Sequence, residues 1–87
     1  MILHLTFADG SNPFVYFAPS VQRAISMYKR FARSNNCTAL FIAPNGCKVR
    51  QDVLRNWYVY TDDAHAPKEY TYLKNALKCA VMGGVHA

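Results

Sequence analysis

Acids are what this sequence has least of. Five Asp and Glu stand against ten Lys and Arg in 87 residues, a formal net charge of +5. The shortage is uneven. Residues 20–55 hold Arg23, Lys29, Arg30, Arg33, Lys48, Arg50 and Arg55 against the lone acid Asp52, so this stretch carries +6 and the remainder −1. An excess of one sign confined to one stretch predicts a cationic face and an anionic partner. Other absences narrow the class. No stretch approaches the roughly 20 apolar residues of a bilayer span, and no membrane partner is expected. The opening Met-Ile-Leu-His-Leu-Thr-Phe has neither the basic region nor the long apolar run of a secretion signal. Cysteines number three, Cys37, Cys47 and Cys79, with no CxxC pair among them. That pattern suits reduced, partly buried thiols rather than a disulfide framework. A soluble protein of a reducing cytoplasm is the expectation.

Motifs that carry chemistry are scarce too. The chain has no GxGxxG loop and no GxxxxGK loop for phosphate, and its His and Cys residues lack zinc-ligand spacing. Nothing local marks Cys47 as an activated nucleophile. Asp62, Asp63 and His65 share one loop, where two carboxylates beside an imidazole suit a divalent cation or an acid–base pair. The same residues read as an acidic loop leading into a helix, with Asp63 as its cap, and adjacency in sequence fixes no geometry. Neither enzymatic activity nor a metal or cofactor is expected.

What is present is apolar and aromatic: 52% hydrophobic residues, with six Tyr, five Phe and one Trp. That is enough to fold one domain over residues 1–87, though a chain this short buries only about 60–65% of its unfolded surface. Leu3, Leu5 and Phe7 alternate with His4 and Thr6, the period of a strand with one buried face. Asp9-Gly10-Ser11-Asn12 signals a turn, and Phe14–Phe17 the returning strand, with Pro13 at its start. Ser20 is suited to cap a helix whose stripe is Val21, Ala24, Ile25, Tyr28, Phe31 and Ala32. Its opposite side gathers Arg23, Lys29, Arg30 and Arg33 with no acid between them, and Asn35-Asn36 suit its exit. Thr38–Ala43 is continuously apolar, which predicts a central strand covered on both faces. Pro44-Asn45-Gly46 predicts a tight turn into a strand bearing Lys48 and Arg50 on one face. Residues 54–61 predict a further strand. Pro67 and Glu69 suit the first turn of a second helix. Its stripe is Tyr72, Leu73, Ala76, Leu77, Cys79 and Ala80, it has Lys74 and Lys78 outside that stripe, and Gly83-Gly84 end it. The expected fold is α+β: an antiparallel sheet of four to five strands packed by two helices, in the order β-β-α-β-β-(β)-α.

The candidate binding residues are therefore Arg23, Lys29, Arg30, Arg33, Lys48, Arg50 and Arg55, the cationic helix face and its neighbouring strand through which docking is expected, joined by Tyr58 and Tyr60. If Trp57 and Val59 face the core, the two tyrosines stand exposed side by side as anchors for a partner. The competing reading is that the second helix covers them. Cations with neighbouring aromatics fit an acidic protein surface and equally fit phosphates and stacked bases. No RNP consensus, GxxG loop or zinc finger decides for nucleic acid.

The layout of Ser20–Val49, a capped helix followed by an apolar strand and the tight turn at Pro44–Gly46, resembles that of small phage-encoded inhibitors, among them anti-CRISPR proteins. The resemblance implies a non-enzymatic binder that docks on a host protein or ribonucleoprotein complex, as monomer or dimer, and blocks it sterically. Several such inhibitors are acidic DNA mimics, whereas this chain is basic. A member of this sign is expected to occupy an acidic protein surface or to compete for a guide or target strand. The alternative is a small basic nucleic-acid-binding domain.

Overall fold

The computed structural model describes residues 1–32, 37–51, 56–61 and 67–82. In chain order these form β1 (Ile2–Phe7), β2 (Phe14–Phe17), α1 (Val21–Ala32), β3 (Cys37–Ile42), β4 (Lys48–Gln51), β5 (Trp57–Tyr60), β6 (Lys68–Tyr70) and α2 (Leu73–Val81). All strands pair antiparallel in one sheet of order β2-β1-β3-β4-β5-β6. The α+β class is as the sequence predicts.

Local chemistry explains most of the boundaries. Gly10 takes φ 80° in the β1–β2 turn, where Ser11 donates its backbone N–H (2.8 Å) and its hydroxyl to the Asp9 carboxylate. The Ser11 hydroxyl, with its N–H, holds Asp9 below the ordinary carboxylate range. Ser20 accepts the Arg23 N–H at 3.2 Å, the N-cap contact its position predicts.

Both helices lie on one side of the sheet. Strand alternation turns Leu3, Leu5, Ala39, Phe41, Val49, Trp57 and Val59 to that side, and each is at most 4% exposed. Leu77, Ala24, Ala76 and Ala80 close over them from the helices. Tyr28 of α1 meets Phe41 and Trp57 at centroid distances of 5.8 and 5.5 Å, and those two meet each other at 5.9 Å, all edge-on. Phe31 packs on Phe14 at 4.6 Å. Among the described residues no polar or charged side chain is buried. Cys37, Cys47 and Cys79 are free thiols, and burial pushes the Cys37 thiol up.

Several expectations need correction. The sheet has six strands among the described residues, not four to five, because Lys68–Tyr70 pairs with β5 instead of opening α2. Three residues without apolar alternation give no strand signal; the free edge of β5 makes them one. The helix starts at Leu73, after a Tyr72 that makes no side-chain cap and is 70% exposed rather than part of the stripe. It ends with Val81, capped by Met82. In α1, Ala32 is exposed and Met27 packs on the core in its place. Most consequential is β3. The helices cover only its Ala39 and Phe41 side, and Leu40 and Ile42 point to the opposite, helix-free face, half-buried. Arg33, Asn35, Asn36, Asp52, Arg55, the Asp62–Asp63–His65 set and Gly83-Gly84 lie outside the described residues.

Candidate functional site

The face of the sheet turned away from the helices is set by the same alternation that builds the core. Register places two rows across it. One runs Phe17, Ile2, Ile42, Lys48, Tyr60. The other runs Val15, His4, Leu40, Arg50, Tyr58, Glu69. Residues directly opposite have Cβ atoms roughly 4.5–5.5 Å apart, so each row is a line of touching neighbours. The β2–β1–β3 half is largely apolar, with Phe17 74% and Val15 46% exposed. The β4–β5 half is cationic and aromatic.

Lys48 and Arg50 are both exposed, flanking the fully buried Val49. Among the described residues no carboxylate forms an ion pair with either. Tyr60 stands opposite Lys48 and Tyr58 opposite Arg50. The two rings lie 6.5 Å apart at 42°. Tyr58 donates its hydroxyl to Glu69 Oε2 at 3.1 Å. A cavity of about 410 Å³ opens here, lined by Leu40, Gly46, Lys48, Arg50, Tyr60 and Thr61.

The turn ahead of β4 aims these cations. Gly46 adopts φ 94°, a value that disfavours any side chain, and donates its N–H to the Ala43 carbonyl at 2.9 Å. Asn45 then works in two directions. Its Oδ1 accepts the Cys47 N–H at 3.0 Å, and its Nδ2 donates to the Ala80 and Val81 carbonyls at 2.9 and 3.3 Å. One side chain thus shapes the turn and satisfies the carbonyls left open at the C-terminus of α2. The Lys48–Arg50 strand is clipped to the helix layer beneath it.

The predicted site residues therefore separate. Lys48, Arg50, Tyr58 and Tyr60 come together on the helix-free face. Arg23, Lys29 and Arg30 are exposed on α1, with the sheet between them and that group. The single cationic face expected from the sequence is two faces. The tyrosines are not covered by α2: Trp57 and Val59 take the buried side, and Tyr60 is 40% exposed. Sequence reasoning missed Ile2, Val15, Phe17, Leu40 and Ile42 as members of the site. For Ile2 the signal was there in the period of two, since it alternates with Leu3, already assigned inward; Leu40 and Ile42 were hidden by reading Thr38–Ala43 as covered on both faces, and Phe14–Phe17 was given no inward side. Among the described residues no three of His, Cys, Asp and Glu gather as metal ligands, and no helix is long and apolar enough to cross a membrane.

Comparison with protein-family models, with curated proteins and with solved structures gives no match for this chain.

Proposed function

We propose that this chain is a non-enzymatic binding protein of the cytoplasm that docks through its helix-free sheet face on an acidic surface of a larger protein or ribonucleoprotein complex, and obstructs it. A small phage-encoded inhibitor, anti-CRISPR-like in layout, is the form of this reading that the size and architecture suit. One observation carries it. A half-buried apolar region that ends in the exposed Val15 and Phe17 adjoins Lys48, Arg50, Tyr58 and Tyr60, cations and aromatics in neighbouring register positions. Contiguous exposed apolar surface marks an interaction site, and Tyr and Arg are the residues that dominate binding energy once desolvated. The partner surface would offer an apolar patch bordered by carboxylates.

The tyrosine rings beside two cations also suit stacked bases and phosphates, so the test separates the two partners. Binding to random single- and double-stranded DNA and RNA is titrated with salt, and a tagged protein is used to capture partners from a bacterial lysate. Protein docking predicts no nucleic-acid binding at physiological salt, and a captured protein that is lost with Arg50→Glu and with Tyr60→Ala. It predicts retention with Arg23→Glu and Arg30→Glu. Binding to single strands that falls steeply and log-linearly with salt, and is lost with Arg50→Glu, makes the nucleic-acid reading the correct one.

A further inference from the structure

On the opposite side of the molecule the two helices leave a furrow between them. We infer that this furrow is a second docking site, shaped and charged for an acidic amphipathic helix of a partner protein. It does not depend on the sheet-face reading.

The furrow encloses about 670 Å³. α1 lines it with Val21, Gln22, Ile25, Ser26 and, one turn on from Ile25, Lys29; α2 lines it with Lys74 and Lys78. Val21 and Ile25 are one helical step of four apart, as are Lys74 and Lys78, so each pair shares a face of its helix. From Val21 to Lys29 the α1 wall is about 12 Å long, at 1.5 Å per residue, enough to meet two turns of another helix. Val21 and Ile25 supply an apolar strip, Gln22 and Ser26 stand beside it, and lysines stand on both walls.

Charge names the occupant. Neither α1 nor α2 contains an Asp or Glu, and among the described residues Lys29, Lys74 and Lys78 have no carboxylate partner. With lysines on both walls, an anionic ligand seated between them is attracted from both sides. A helix with apolar residues at every third or fourth position matches the period of Val21 and Ile25. Glutamates flanking that stripe reach the three ammonium groups. A nucleic-acid backbone leaves the aliphatic strip of Val21 and Ile25 unmatched, and no aromatic ring lines the furrow to stack a base.

The test uses a fluorescein-labelled 18-residue peptide with Leu at helical spacing flanked by Glu, against a scrambled peptide of the same composition. The expected result is saturable anisotropy binding with a gain in helical circular dichroism. Affinity falls about tenfold or more for the scrambled peptide and for the Lys74→Glu/Lys78→Glu protein, both of whose positions are exposed. A peptide with Lys in place of Glu should bind that double variant in preference to the original protein. Arg50→Glu, on the other side of the sheet, should change nothing. The inference is overturned by absence of saturation, by equal affinity for the scrambled peptide, or by indifference to the lysine reversals. Stronger binding to phosphatidylglycerol vesicles or to oligo-dT than to the ordered peptide overturns it as well.

Discussion

The two sides of this sheet are made by alternate residues of the same strands, yet they have opposite fates. On the helix side Leu3, Leu5, Phe41 and Val49 are fully buried. One position away, Ile2, His4, Leu40 and Arg50 look outward, the aliphatic ones half-buried and the arginine exposed. Hydrophobicity alone does not separate the faces, since Leu, Val, Phe and Tyr occur on both. What separates them is whether a helix covers the face. Burying polar side chains without partners is costly, and among the described residues none is fully buried on the covered side, Gln51 and Lys68 sitting half-buried there. The uncovered side mixes aliphatic, aromatic and cationic groups.

Truncation gives the sharpest test of this contrast. Phe41→Ala removes a ring held edge-on by Tyr28 and Trp57 and should cost about 3–5 kcal/mol in urea denaturation. Leu40→Ala, its neighbour on the other face, should cost about 1 kcal/mol or less. Equal costs would mean that the outer face is itself a packed core. Asn45→Ala probes the clip between the faces. Losing three hydrogen bonds at a partly buried turn should destabilise by about 1–2 kcal/mol, with faster amide exchange concentrated at the C-terminus of α2 and in β4. Arg50→Glu should leave the unfolding midpoint within about 0.5 kcal/mol of the parent while removing the binding proposed for its face.

The smallest effect lies at the rim of the covered side. The Cys79 side chain, with a lesser share from burial, pushes the Tyr70 phenol up to about 12. The fold therefore favours the neutral phenol. This contribution is complete below pH 10, where the unfolded phenol is also protonated, and is lost as pH rises through 10 towards 12. Tyr70→Phe should flatten the stability–pH curve in that window alone, a difference readable by thermal melts at pH 9 and pH 11.

Much of the fold was legible because local rules acted without competition. Ser20, the Asp9–Gly10 turn, the Pro44–Gly46 turn and the alternation of β1 all sit where residue chemistry predicts. β6 was not legible, because Lys68–Tyr70 carries no pattern of its own and owes its conformation to the edge of β5. The face of β3 misled for a related reason. A continuous apolar run reads as two-sided burial, but a strand with one buried and one half-buried, helix-free face produces the same run. Lys48 and Arg50 were legible as a pair from their spacing. That they and the α1 cations would be parted by the sheet was not, since sequence proximity says nothing of which layer a residue joins.

The strand order has a consequence for how the chain reaches its fold. Every neighbouring pair in the sheet joins strands consecutive in sequence except β1 and β3, whose partners lie thirty positions apart at Phe7 and Cys37 and forty at Ile2 and Ile42. Hairpins and meanders close within microseconds, whereas this seam must first close a loop that includes β2 and α1, and loop-closure entropy opposes it. The kinetic barrier is thus concentrated in one zipper of six residue pairs. A break in the chain between Ala32 and Cys37 would leave every other strand pair inside a single fragment. The pieces 1–32 and 37–87 would then find each other through that seam and the helix packing above it, and folding would become an association whose rate depends on concentration.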